Sequence, residues 1–123
     1  MSTELKKRTK LFALRVLKLV EALPNTKSGK IIANQIGRAG TSVGANYRAA
    51  CRGRSKAEFI AKLGIVEEEV DECIYWLELI DDGKILPVGS IAPLKSEAEE
   101  ILAIMSASRI TASGYSRKTT VRE

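Results

Sequence analysis

Residues 38–50 read RAGTSVGANYRAA, and this stretch decides the architecture. It lies inside a helical pattern yet holds Gly40 and Gly44, with Gly37 just before it. A glycine in a helix interior costs about 1 kcal/mol relative to alanine, so three of them call for a compensating contact. Their spacing of three and then four residues puts them on one side of a helix. A side without Cβ atoms lets another backbone come very close, so the stretch predicts a helix packed tightly on a neighbour.

Working outward, this helix covers about residues 28–52, with Ser28 as its N-cap. Its seam is Ile32, Ile36, Ala39, Val43, Asn46 and Ala50, mostly small side chains at heptad spacing. Before it, a helix over about 4–23 carries the seam Leu5, Thr9, Phe12, Val16, Leu19 and Leu23, with one polar member; Pro24 and Asn25 stop it. After it, SKAE at 55–58 reads as a capping box, in which Ser55 and Glu58 serve each other's end of the helix. A third helix follows to residue 82 on Phe59, Leu63, Val66, Val70, Cys73, Leu77 and Ile80, and Gly83 is its natural C-cap. A loop over 84–92 holds Pro87 and Gly89. A fourth helix covers about 91–112, with Pro93 in its first turn and the seam Leu94, Ala98, Ile101, Met105, Ser108 and Ala112. Strands are excluded, because strict alternation is absent and the runs are too long. The predicted fold is all-α, an antiparallel up-down-up-down four-helix bundle over residues 1–113. A polar, basic tail over 114–123 is expected to lack order.

The charge is unevenly spread. Residues 1–56 hold thirteen Lys/Arg against two Asp/Glu, whereas residues 57–84 hold two against nine. The whole chain has a formal net charge of +5 and a pI near 9.4. Such separation favours contact between the two regions, within one bundle or between copies of it, and an anionic partner fits the basic half. No secretory pattern opens the sequence and no uncharged run approaches a membrane span, so a cytoplasmic protein with no membrane partner is expected. Cys51 and Cys73 then read as reduced packing residues.

An enzyme is the least supported class. There is no histidine, which removes the usual Ser-His and Cys-His nucleophile arrangements. The acidic run Glu67, Glu68, Glu69, Asp71 and Glu72 lacks the Glu-x-x-His pairs of a bundle di-metal site. The glycine-rich stretch lacks GxxxxGK[ST] and a preceding strand. No catalytic residue, metal or cofactor is therefore expected. Nucleic acid is a better candidate. Arg38, Arg48 and Arg52 fall in a wedge of about 80° at helical periodicity, and Ala45 and Ala49 leave them unobstructed. Arg54 extends the run past the helix end, and Lys6, Lys7, Lys10, Arg15 and Lys18 crowd the first helix. Clustered cations of this kind neutralise phosphates, while the lack of an aromatic platform argues against reading stacked bases.

Some large apolar residues are left off the seams. Leu11, Leu14 and Leu17 on the first helix, and Ile65, Trp76 and Leu79 on the third, point away from the core faces. Leu14 lies nearly opposite its seam. Leu11, Leu14, Ile65, Trp76 and Leu79 are therefore candidates for a contact between subunits.

The stretch RAGTSVGANYRAA, followed by SKAEFIAKLGIVEEEVDECIYWLELI, resembles the four-helix-bundle family of proteins encoded by intervening sequences of bacterial 23S rRNA genes. Some members also carry the name ribosomal protein. Arg38, Gly40, Ser42, Gly44, Asn46, Tyr47, Ser55, Phe59, Tyr75, Trp76 and Glu78 match the family pattern, as packing, capping or interface positions. The resemblance implies an antiparallel bundle assembled as a pentamer. A related group, the accessory proteins of diversity-generating retroelements, implies a basic surface that binds nucleic acid and a protein partner. This chain lacks that group's strongly basic tail, having only Arg117, Lys118 and Arg122. The expected function is a non-catalytic homo-oligomer, five-membered by analogy, that binds RNA or DNA through phosphates. The alternative is a protein-interaction scaffold whose charges serve assembly.

Overall fold

In the computed structural model, residues 2–114 are described, and they form four helices: α1 Ser2–Ala22, α2 Lys27–Cys51, α3 Lys56–Asp82 and α4 Ala92–Ser113. No strand occurs among them. The tail assigned to 114–123 lies, apart from Gly114, outside the described residues.

Contacts across each seam run in opposite residue order. A Cβ placed on Gly37 would meet Val20, one on Gly40 would meet Val16, and one on Gly44 would meet Thr9, so α1 and α2 are antiparallel. Gly53 lies by Glu58 and Arg38 reaches Glu72, which sets α2 against α3 in the same sense. Glu67 takes Arg109 and Glu78 lies near Lys95 across α3 and α4. The fourth seam, α1 on α4, is the loosest.

The core is built from the predicted seams. Phe12, Val16, Ile36, Val43, Leu63, Val66, Val70, Leu77, Ile80, Ile101 and Met105 are fully buried. Each such aliphatic or aromatic side chain contributes about 1.5–3 kcal/mol on burial. Thr9, the polar member of the α1 seam, is also fully buried, and its hydroxyl donates to the Leu5 carbonyl at 2.8 Å. On α2 the seam differs at one step. Tyr47 is buried, while Asn46 is only half-buried and donates from Nδ2 to the Ser42 carbonyl. Helix α2 packs on both α1 and α3, so its buried stripe is broad and takes in Gly40 and Tyr47. Phe59 and the Ser108/Ala112 end of α4 are half-buried where the bundle opens.

The helix ends refine the sequence reading. Helix α2 is capped by Thr26, whose side chain accepts from the Gly29 N–H at 3.0 Å; Ser28 lies inside the first turn. Ser55 caps α3 as expected, accepting from the Glu58 N–H. Glu58 returns to the Arg54 N–H, one residue before the cap, rather than to Ser55. At the other end Gly83 is the C-cap but has a right-handed backbone, and the left-handed residue is Lys84, at φ 53°. The Ile85 N–H to Ile80 carbonyl and Lys84 N–H to Asp81 carbonyl bonds complete a Schellman motif there.

Candidate nucleic-acid interface

The basic residues of α1 and α2 do not form one continuous face. Arg38 reaches across to α3, where its guanidinium donates to both Glu69 and Glu72, at 2.8 Å to the latter. Arg48 lies on the other flank of α2 and opens on the groove between α1 and α2. The 80° wedge read from the sequence therefore straddles the exposed ridge of α2. A helix with a neighbour on either side sends the two edges of such a wedge to different partners. Arg38 is thus held by two carboxylates, and the structure separates it from the other candidate phosphate ligands.

The groove beside Arg48 has a volume of about 210 Å³. Lys6 and Lys10 line it from α1; Thr41, Gly44 and Ala45 line it from α2. Arg52 and Arg54 are exposed at the C-terminal end of α2, one on the cap and one beyond it. Lys7 is exposed on α1. Arg15 and Lys18 face a different way and border a cavity of about 280 Å³ with Ser90, Ile91, Pro93 and Leu94 at the start of α4. Among the described residues, none of these eight cations is in an ion pair.

The paired cations are a separate set. Arg8 bridges Glu97 and Glu100 of α4, both at 2.7 Å. Its hydrogen bonds hold the Glu97 carboxyl below the usual carboxylate range, with Arg15 adding to the effect. Arg109 of α4 takes Glu67, at 2.6 Å. Burial pushes the Glu72 carboxyl up, but the Trp76 indole N–H and Arg38 outweigh it, and the net shift is downward. The acidic stretch of α3 is thus partly neutralised inside the protomer, leaving Glu68 and Asp71 exposed. Among the described residues, no group of His, Cys, Asp and Glu is arranged to hold a metal ion, and no helix is long and apolar enough to cross a membrane. Cys73 is buried, which pushes its thiol up to about 12.

The five candidates for a subunit contact divide as well. Leu11 and Leu14 are more than half exposed, at 57% and 56%, and Leu17 continues their stripe. Ile65 is 38% exposed. Trp76 and Leu79 are half-buried, and Trp76 packs on the core while its indole N–H donates to Glu72. Thr41 and Gly44 were not singled out as groove residues from sequence. Their place depends on the register of α1 against α2, which the Gly37–Val20, Gly40–Val16 and Gly44–Thr9 contacts fix.

The sequence profile of the 23S rRNA-intervening sequence protein family matches residues 2–107. The chain belongs to this family. A solved relative has the same arrangement of helices: a protein of unknown function from the S23 ribosomal protein family of Bacteroides thetaiotaomicron VPI-5482. It is 31% identical, superimposes with a TM-score of 0.81, and the match covers 88% of this chain and 96% of that one. No curated protein matches the chain. Family membership accounts for the bundle. It assigns no role to the unpaired cations.

Proposed function

We propose that this family member is a non-catalytic, homo-oligomeric bundle, pentameric by analogy with its relatives, that binds RNA or DNA through backbone phosphates in the cytoplasm. One observation carries the reading. The cations divide into a set engaged by carboxylates and a set on α1, on α2 and just past its end (Lys6, Lys7, Lys10, Arg48, Arg52 and Arg54) whose charged groups no described carboxylate engages. Unpaired, clustered cations on a protein of net charge +5 attract polyanions by counterion release. Arg38, tied to Glu69 and Glu72, contributes little to this surface.

The test is retardation of duplex and single-stranded RNA and DNA across a salt series. Binding should be largely independent of base sequence and should weaken steeply with salt. A flat salt response, or no retardation of any probe at low salt, overturns the reading.

The assembly reading has its own support in the exposed Leu11/Leu14/Leu17 stripe and the exposed Glu68 and Asp71. An Arg48→Glu variant separates the two. A loss of affinity at constant oligomer size belongs to nucleic-acid binding, and a change of oligomer size at constant affinity belongs to a scaffold.

A further inference from the structure

We infer that the α1–α2 groove at Gly44 and Ala45 is a seat for a backbone phosphate of a nucleic-acid strand, held between Lys6 and Lys10 on one wall and Arg48 on the other. This rests on the nucleic-acid reading above and gives it a location. Lys6 and Lys10 are one helical turn apart, about 6 Å along the α1 axis. Both line the same groove as Arg48, so three cationic residues border a single space. No carboxylate lines that space, although carboxylates engage cations on the α2–α3, α3–α4 and α1–α4 seams.

The remaining lining explains what can enter. Gly44 has no side chain and Ala45 has only a methyl, so the floor is low between the cationic walls. Thr41 spends its hydroxyl proton inside its own helix, on the Gly37 carbonyl at 2.8 Å. The groove therefore offers cationic donors and no aromatic surface. That is phosphate chemistry rather than base stacking. A cleft bordered by one sign of charge and low-dielectric walls also concentrates the field.

The experiment measures binding of the full chain to a short RNA duplex by fluorescence anisotropy over a salt series. Ala45→Phe fills the groove, keeps every charge and changes an exposed position, so the core is untouched. It should weaken binding by about tenfold, and Lys10→Gln should reduce the salt slope by about one. Lys30→Gln removes the same charge from an exposed position outside the groove and is the reference. Wild-type binding that Ala45→Phe leaves intact, with Lys10→Gln no worse than Lys30→Gln, overturns the groove while preserving the broader reading. No wild-type binding at low salt removes the broader reading itself, and the groove with it. Inorganic phosphate at matched ionic strength is the last arm. Phosphate should displace RNA from the wild type more than chloride does, and that excess should vanish in Ala45→Phe; equal displacement by phosphate and chloride in the wild type would overturn the phosphate seat.

Discussion

Gly40 of α2 lies directly against Val16 of α1. A Cβ on Gly40 would fall 2.7 Å from Val16 Cγ1 and 2.9 Å from its Cβ. Valine is stiff about χ1 and Val16 is fully buried, so it has nowhere to turn. Gly40→Ala gains about 1 kcal/mol of helix propensity but forces an overlap that costs about 1–3 kcal/mol. The expected outcome is a lower melting temperature. Gly64 on α3 has nothing within 4 Å of its Cβ position, so Gly64→Ala should raise stability by up to about 1 kcal/mol. Adding Val16→Ala to Gly40→Ala should recover part of the loss, a coupling that a double-mutant cycle by chemical denaturation measures directly.

The cap of α2 yields a second contrast. Thr26 accepts from the Gly29 N–H, whereas Ser28 lies within the first turn and makes no cap bond. Thr26→Ala should cost about 1 kcal/mol. Ser28→Ala, at an exposed position, should stay within about 0.5 kcal/mol of wild type. Urea denaturation midpoints of the two variants test the assignment.

That contrast marks where sequence reading stops. The α3 seam from Leu63 to Ile80 is buried at every predicted position, because α3 packs on both α2 and α4 and its apolar pattern has no break. The choice between Thr26 and Ser28 depends on where the chain leaves Pro24, and two capping residue types two positions apart offer the same signal. The choice between Asn46 and Tyr47 depends on how far α2 is rotated between two neighbours. The division of Arg38 from Arg48 depends on the same rotation, so residues that share a wedge in the sequence serve different seams. The groove at Gly44 was visible only as its parts, three glycines and scattered cations. Its assembly needs the α1–α2 register.

Acid should loosen the α1–α4 seam. The Arg8 hydrogen bonds depress the folded Glu97 carboxyl below its ordinary 4.5, so this carboxylate binds its proton less readily folded than unfolded. Its contribution is fully present above about pH 4.5 and is lost as the pH falls through the lower folded value. The pair is partly exposed, and solvent screening holds the contribution to about 1 kcal/mol. Wild type should exceed Glu97→Gln in stability at pH 7, and the gap should close in acid. Thermal melts of both proteins across that range measure it. A gap that persists unchanged below the folded carboxylate range would assign the loss to packing instead of charge.

The exposed stripe on α1 carries the last prediction. Leu14 is 56% exposed and lies between Leu11 and Leu17 at helical spacing, so the three form one apolar strip outside the protomer core. Water is a poor neighbour for such a strip, and burying it against a second copy gives a driving force of about 25 cal/mol per Å² covered. Leu14→Glu should leave the helical content intact, because the side chain contributes little to the core. In an assembled state the same change would put a carboxylate into a dry contact, where an unpaired charge is strongly disfavoured. Sedimentation should therefore show a wild-type oligomer at micromolar concentration and a smaller species for the variant. Wild type that sediments as a monomer, or a variant of unchanged size, would show that the strip is not the contact.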